Sequence, residues 1–145
     1  MNVQSILGSK GSKVVTITSA ASLADAVGTL RDAGVGALIV SNDGTHIDGI
    51  VSERDVVRAL ANHGASVLGR QVSSVMSPDV VTCKVDDSVD SLMQAMTERR
   101  IRHLPVVDEE GVLGGIVSIG DVVKRRLGQL ESENQHLDDY ISQGR

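Results

Sequence analysis

Two serine–aspartate pairs carry the clearest chemistry in this chain of 145 residues. Ser52 precedes Asp55 and Ser118 precedes Asp121, each pair lying between a short apolar run and a helical pattern. A serine followed three residues later by a carboxylate is typical of a capping box, in which the hydroxyl accepts from a backbone N–H at the start of a helix. A helix start also attracts phosphate groups, and a nearby carboxylate can accept both hydroxyls of a ribose. These positions can therefore cap a helix or bind a nucleotide.

The two pairs belong to an internal duplication. Residues 49–57 (GIVSERDVV) return as residues 115–123 (GIVSIGDVV), with seven of nine positions identical. The offset of 66 residues holds without a gap from Val15/Val81 to Leu60/Arg126. A fixed internal period indicates that one supersecondary unit occurs twice. The sequence therefore predicts two tandem copies of an α+β unit.

Each copy is predicted to have the order β-α-β-β-α, from its apolar periodicity and turn residues. Repeat 1 (residues 14–63) has predicted strands at 14–18, 37–40 and 47–52 and helices at 22–33 and 53–62. Repeat 2 (residues 80–126) has predicted strands at 80–85, 104–108 and 112–118 and a helix at 88–100.

Three further segments complete the predicted domain plan. Residues 1–13 are expected to form a helical turn (2–7) followed by a flexible, glycine-containing connection. Residues 64–79, the connector, carry Val72, Val75 and Met76 and should pack on the body of the protein. Residues 127–145 are expected to extend the last helix.

The last helix carries a heptad pattern. Its seam runs through Val123, Leu127, Leu130, Asn134, Leu137 and Ile141, at spacings of four and three residues. Such a seam can pair two chains, or it can be the apolar face of a helix packed on its own domain. An Asn in the seam favours pairing, because a core Asn specifies register at a cost in stability.

Composition restricts the classes of function. With one Tyr and no Phe or Trp, the core must be aliphatic, and a bound nucleobase would have to lie between aliphatic side chains and be recognised by backbone groups. The net charge of −5 argues against a nucleic-acid partner. Cys83, the single cysteine, excludes an internal disulfide and is predicted to be a small buried hydrophobe. The sequence has no run of apolar residues long enough to span a membrane, and we expect a cytoplasmic protein with no membrane partner.

The sequence offers no catalytic or metal-binding pattern. The four histidines, at positions 46, 63, 103 and 136, lack metal-ligand spacing. No nucleophile elbow, phosphate-binding Walker loop or zinc-protease helix occurs. We therefore predict no catalytic residues, no metal and no catalytic cofactor.

The duplicated signature resembles the cystathionine β-synthase (CBS) domain, which occurs in pairs called Bateman modules. The family pattern is Gly-hydrophobic-x-Ser/Thr-x-x-Asp, with an upstream strand that often ends in Leu-Pro-Val. Repeat 2 matches that strand at Leu104-Pro105-Val106, whereas repeat 1 lacks the proline. The resemblance covers about residues 14–126 and is greatest to stand-alone bacterial pairs. It implies that the two repeats pack by pseudo-twofold symmetry, with adenine nucleotides in the clefts between them.

The resemblance also implies two binding sites, each combining the Ser-x-x-Asp of one repeat with a base pocket from the other. The first expected cleft consists of Ser118, Asp121, Arg102, His103, Thr18, Val35, Gly36 and Ala37. The second consists of Ser52, Arg54, Asp55, Lys84, Ile101 and the backbone of Arg102 and His103. Pro105, in the matched strand, is counted with these binding residues. Arg99 and Arg100 are interpreted as a solvated helix end.

In this family such pairs often regulate enzymes or channels. The resemblance therefore implies a non-catalytic regulatory protein that binds an adenosine-containing ligand: AMP first, then ADP, ATP or NAD(H). We expect a homodimer and a regulated protein partner that the sequence does not identify. The alternative is a ligand-independent dimerisation or scaffold protein, in which Asp55 and Asp121 serve only as helix caps.

Overall fold

Five helices and five short strands alternate along residues 1–143, the part of the chain that this computed structural model describes. The helices are α1 (Val3–Lys10), α2 (Leu23–Ala33), α3 (Glu53–His63), α4 (Val89–Arg99) and α5 (Ile119–Gln143). The strands are β1 (Thr16–Ile17), β2 (Ala37–Val40), β3 (Gly49–Ser52), β4 (His103–Val107) and β5 (Leu113–Ser118). Two 3₁₀ turns, Ala65–Gly69 and Val72–Ser74, form much of the connector.

The two repeats have the same strand register. In repeat 1, β1 is parallel to β2, and β2 is antiparallel to β3 with Ala37 opposite Ser52. In repeat 2, β4 is antiparallel to β5 with His103 opposite Ser118, which are the same two positions shifted by 66 residues. The predicted fold class, two tandem α+β repeats followed by an extended C-terminal helix, is confirmed.

The strand predicted at residues 80–85 is wrong. Cys83 forms only an isolated bridge to Val106, with its N–H donating to the Pro105 carbonyl. In repeat 1 the N–H of Ile39, the counterpart of Pro105, donates to the Val15 carbonyl. Proline has no N–H, so the corresponding bond cannot form in repeat 2. The parallel pairing is therefore reduced to a single bridge.

Helix α1 and the connector attach to the body by the same backbone contacts. The Val3 N–H donates to the Asp87 carbonyl in one half, and the Val72 N–H donates to the Ala21 carbonyl in the other, both with the side chain fully buried. Two neighbouring backbone bonds repeat in the same way. These segments are related by an offset of 69 residues instead of 66, so the ungapped sequence comparison does not detect them.

Each repeat's core is completed by the segment that precedes the other repeat. Val3 and Ile6 of α1 lie in the core of repeat 2, although α1 precedes repeat 1. Val67 and Val72 of the connector lie in the core of repeat 1, although the connector precedes repeat 2. Helix α1 is capped by Asn2 and ends at Lys10, three residues beyond the predicted helical turn, because these contacts stabilise it.

Cys83 is buried in the core of repeat 2, as predicted. Burial raises the pKa of its thiol to about 12, and the Asp87 carboxylate raises it further. A thiol with this pKa stays protonated at neutral pH, so Cys83 packs as an apolar side chain and is not a nucleophile.

Helix α5 leaves the body soon after it begins. Val122 is buried, but the apolar stripe beyond it is exposed, with Leu127 at 54%, Leu130 at 44% and Leu137 at 57%. Within residues 1–143 the chain therefore does not cover its own stripe. Gly144 and Arg145, the end of the predicted C-terminal segment, lie outside the described residues. In the described part of the chain, no helix is apolar over a length that would cross a membrane.

We predict that Ile6→Ala destabilises the fold by about 2–5 kcal/mol, because it opens a cavity in the core of repeat 2. The control is Gly8→Ala, in the same helix, where an added Cβ meets no atom within 4 Å. It should be neutral or slightly stabilising, since Ala favours a helix over Gly. Urea unfolding of both variants provides the measurement, and equal midpoints would contradict a structural role for α1.

Candidate functional site

Both Ser-x-x-Asp motifs form reciprocal caps at the start of a helix. Asp55 Oδ2 accepts from the Ser52 N–H at 2.9 Å, and the Asp55 N–H donates to Ser52 Oγ at 3.3 Å. In repeat 2 the corresponding bonds between Ser118 and Asp121 measure 2.9 and 3.2 Å. In each motif the second carboxylate oxygen, Oδ1, has no hydrogen-bond donor among residues 1–143. The capping hypothesis is thus correct for both motifs, and each aspartate retains an oxygen for another partner.

The two aspartates differ in their charge environment. Asp121 Oδ2 lies 2.6 Å from Lys10 Nζ. Partial burial alone would raise the pKa of Asp121, but hydrogen bonds from Lys10 and Ser118 outweigh it, so the pKa lies below its ordinary value. Within the described residues Asp55 forms no salt bridge. Its carboxylate is therefore free of an internal cation.

A cleft of about 520 Å³ opens between the repeats beside Asp55. Residues from both repeats line it, and among them are Gly36, Ser52, Arg54, Asp55, Ile101, Arg102 and His103, which the sequence analysis had singled out. Additional lining residues are Ile50, Glu53, Arg58, Ser77, Asp79, Val80, Val81, Arg99 and Arg100. Most of the second expected cleft is thus assembled in one place.

The remaining sequence-predicted residues lie elsewhere. Lys84 donates to the Asp108 carbonyl at 3.1 Å and approaches Glu109, and it does not line the cleft. Thr18, Val35, Ala37, Pro105 and Ser118 are also absent from the lining. Asp121 borders a separate cavity of about 580 Å³ between α1 and α5. The residues of the first expected cleft are therefore divided between different surroundings.

His103 lies where the two repeats meet. An added Cβ on Gly36 would lie 2.8 Å from Glu53 Oε1 and 3.3 Å from His103 Cε1, so only glycine leaves room for both side chains. Burial lowers the pKa of His103, and Lys10 and Arg102 lower it further, although the Glu53 and Asp121 carboxylates act in the opposite direction. The ring is therefore neutral at pH 7, and it can donate one hydrogen bond and accept another.

Five arginines surround the cleft although the chain carries a net charge of −5. They are Arg54, Arg58, Arg99, Arg100 and Arg102. None of the five forms a salt bridge in the described part of the chain. The lining holds only three carboxylates. Since unpaired guanidinium groups bind phosphate well, this arrangement fits an anionic ligand.

The interpretation of Arg99 and Arg100 as a solvated helix end overlooked their place at this cleft. Arg100 ends α4 in the left-handed conformation, with φ 54°, and among residues 1–143 it is the only non-glycine residue with positive φ. Gly34, its counterpart in repeat 1, has φ 65° without strain. The duplication itself held the signal, because an arginine stands where the other repeat has glycine.

The surface available to a nucleobase is aliphatic. Ile50, Val80, Val81 and Ile101 line the cleft, and no aromatic ring occurs among its described lining residues. Nor do the described residues include a group of three His, Cys, Asp or Glu side chains able to hold a metal ion.

Comparison with known proteins identifies the family. A family model described as the CBS domain matches residues 9–62 and 72–128. The chain belongs to the CBS domain family, and it contains two copies of that domain.

Solved structures share both the fold and the pairing of repeats. The CBS-domain containing protein ATU1752 from Agrobacterium tumefaciens is 44% identical, with a TM-score of 0.83 over 86% of this chain and 92% of its own. The CBS domain pair of protein MJ0100, solved in complex with 5′-methylthioadenosine and S-adenosyl-L-methionine, is 25% identical, with a TM-score of 0.79 over 89% and 98% of the two chains.

Curated relatives are longer than this chain. The mitochondrial CBS domain-containing protein CBSX3 from Arabidopsis thaliana is 37% identical over 124 residues, which are 83% of this chain and 60% of that protein. A second curated relative is covered over 48% of its length.

We predict that Arg100→Gly stabilises the protein by about 1 kcal/mol, because glycine adopts the left-handed conformation without steric cost. Arg99→Gly is the matched control one residue earlier, inside α4. There glycine should destabilise by about 0.5–1 kcal/mol. Chemical unfolding measures both changes, and destabilisation by Arg100→Gly would show that the arginine conformation is not strained.

Proposed function

We propose that this protein is a non-catalytic regulatory module that binds an adenosine-containing ligand in the cleft beside Asp55. AMP is the first candidate, followed by ADP, ATP and NAD(H). The observation that carries the proposal is the combination of a carboxylate free of internal cations with five unpaired arginines around one cleft. A ribose phosphate presents hydroxyl donors and an anionic group, which these side chains complement.

The proposed roles follow from the chemistry of each group. Asp55 accepts hydrogen bonds from the ribose hydroxyls. The guanidinium groups and the N-terminus of α3 bind phosphate. The base lies between aliphatic side chains such as Ile101, Val80 and Val81 and is recognised by backbone groups. Such recognition favours a 6-amino over a 6-oxo purine, since exchanging donor for acceptor leaves a buried group unpaired.

The MJ0100 complex supports the ligand class. Both compounds bound to that CBS pair contain adenosine. The ribose and adenine are therefore the shared elements that we carry to this chain, and the arginines favour a ligand that adds phosphate. Calorimetric titration with AMP, ATP, NADH and S-adenosylmethionine, with GMP as the comparison, tests this order. Equal affinity for AMP and GMP would contradict base recognition by the backbone.

Regulation would arise from a shift between arrangements of the two repeats. Arg54 and Asp55 belong to repeat 1, whereas Arg102 and His103 belong to repeat 2. A ligand that contacts both sides favours the arrangement it binds better. A protein partner that contacts both repeats would detect that change.

A second function, assembly, rests on the exposed stripe of α5. An apolar stripe of this length is unfavourable in water, and parallel pairing of two chains would bring Asn134 opposite Asn134, where the two amides can bond to each other. We propose a homodimer to which this helix contributes. Such a dimer could also serve as a ligand-independent scaffold.

Asp55→Ala should weaken AMP binding by about ten- to a hundredfold, the equivalent of about 1.5–3 kcal/mol for a charged hydrogen bond. Its cost in stability should be only about 0.3–1 kcal/mol, since Asp55 lies at a helix start. Asp25→Ala is the matched control, because Asp25 occupies the same position after the Ser22 cap of α2 but lies outside the cleft. Calorimetry should show unchanged AMP affinity for Asp25→Ala; unchanged affinity in both variants would leave Asp55 as a cap only.

Leu137→Lys should weaken the dimer by about tenfold or more, because it places a charge in the seam. The neighbouring substitution His136→Lys adds the same charge off the seam and should leave the dimer intact. Truncation after Arg126 should weaken the dimer while AMP binding is retained. Sedimentation equilibrium measures each case, and an unchanged dimer after truncation would remove α5 from the interface.

A further inference from the structure

A lysine from the first helix holds Asp121 in place. Lys10 Nζ lies 2.6 Å from Asp121 Oδ2 and 2.9 Å from the Ile116 carbonyl oxygen. The two charged side chains are largely covered, at 32% and 22% exposure. An ammonium shared by a carboxylate and a carbonyl has a defined position, unlike the ammonium of a typical surface ion pair.

The corresponding place in repeat 1 is filled differently. The carbonyl of Ile50, the counterpart of Ile116, accepts from the Ser77 N–H at 2.9 Å. Ser77 precedes Pro78, and a residue before proline disfavours the helical conformation, so the connector pairs with β3 as extended chain. Helix α1 has no proline and continues to Lys10. A backbone amide thus takes the carbonyl in one repeat and a lysine ammonium takes it in the other.

Lys10 is carried by an anchored helix. Val3 and Ile6 of α1 are buried in the core of repeat 2, and Leu7 packs against Gly115, where an added Cβ would lie 2.9 Å from Leu7 Cδ2. The ammonium cannot be withdrawn without unwinding the last turn of α1 or leaving the Asp121 carboxylate partly buried without its cation. The second change is costly for a partly desolvated pair.

We propose that Lys10 is an internal occupant of the Asp121 position that excludes nucleotide there, so that each chain binds one nucleotide, at Asp55. This inference rests on the proposed function. A ribose held by an aspartate needs both carboxylate oxygens, and at Asp121 one of them already accepts from Lys10 and from the Ser118 N–H. The ammonium also fills the space next to that oxygen. The two ribose-binding aspartates are therefore unequal because of a residue outside either Ser-x-x-Asp motif.

Equilibrium dialysis of the full chain with saturating labelled AMP tests the proposal. The wild-type protein should bind one AMP per chain, and Lys10→Met, which keeps the aliphatic stem without the charge, should bind two. Adding Asp121→Ala to Lys10→Met should remove the second AMP, whereas adding Asp55→Ala should remove the first. Lys10→Arg, which keeps a cation, and Lys13→Met, the control in the same segment, should each bind one.

Two AMP per wild-type chain, or no more than one per chain of Lys10→Met, would overturn the inference while leaving the proposed function intact. Absence of AMP from every variant would instead refute the proposed function and this inference with it. A ligand-free measurement separates the contact from binding. The carboxyl ¹³C titration of Asp121 should move to higher pH in Lys10→Met, and an unchanged titration would also overturn the inference.

Discussion

Neither repeat contains all of its own core, and the rest of the structure depends on this constraint. Val3 and Ile6 complete repeat 2, and Val67 and Val72 complete repeat 1, so each repeat is closed by chain that leads into the other. Burial of each such side chain contributes about 1.5–3 kcal/mol. The two exchanged segments therefore hold the repeats face to face, and the cleft exists because they do. A ligand that shifts one repeat against the other must also load these segments.

Duplication gives a symmetric frame, and the function proposed here arises where that symmetry is broken. The chain has two prolines, and each removes a feature that the other repeat retains. Pro105 deletes a donor that Ile39 supplies, and Pro78 turns the connector into extended chain where α1 stays helical. Arg100 replaces Gly34 and Arg102 replaces Gly36, which concentrates cations on one cleft. Two equivalent sites thus become two chemically different places.

The parts of the fold that the sequence predicted are those governed by local pattern. The helix bounds and the register of β2 with β3 follow from apolar periodicity and the repeated motif, and the Ser-x-x-Asp caps follow from residue type. Placement of Arg54, Asp55 and His103 at a common cleft was also expected from the resemblance. The strand lost at Cys83 and the strained Arg100 were legible in the alignment of the two copies, because Pro105 faces Ile39 and Arg100 faces Gly34. The contact between Lys10 and Asp121 was not, since it depends on the length of α1 and on an exchange of segments at a different offset.

The exchange of segments also sets an order of events during synthesis. The connector follows repeat 1 directly, so repeat 1 can close its core as soon as the connector has been made. Helix α1 must wait, because Val3 bonds to Asp87 and packs on residues as far along as Val122. A helix of eight residues is unstable alone, so until then it remains an unfolded apolar segment on the nascent chain. Repeat 2 thus folds last, around residues that left the ribosome first, and this long-range closure is the slow, exposed step of its assembly.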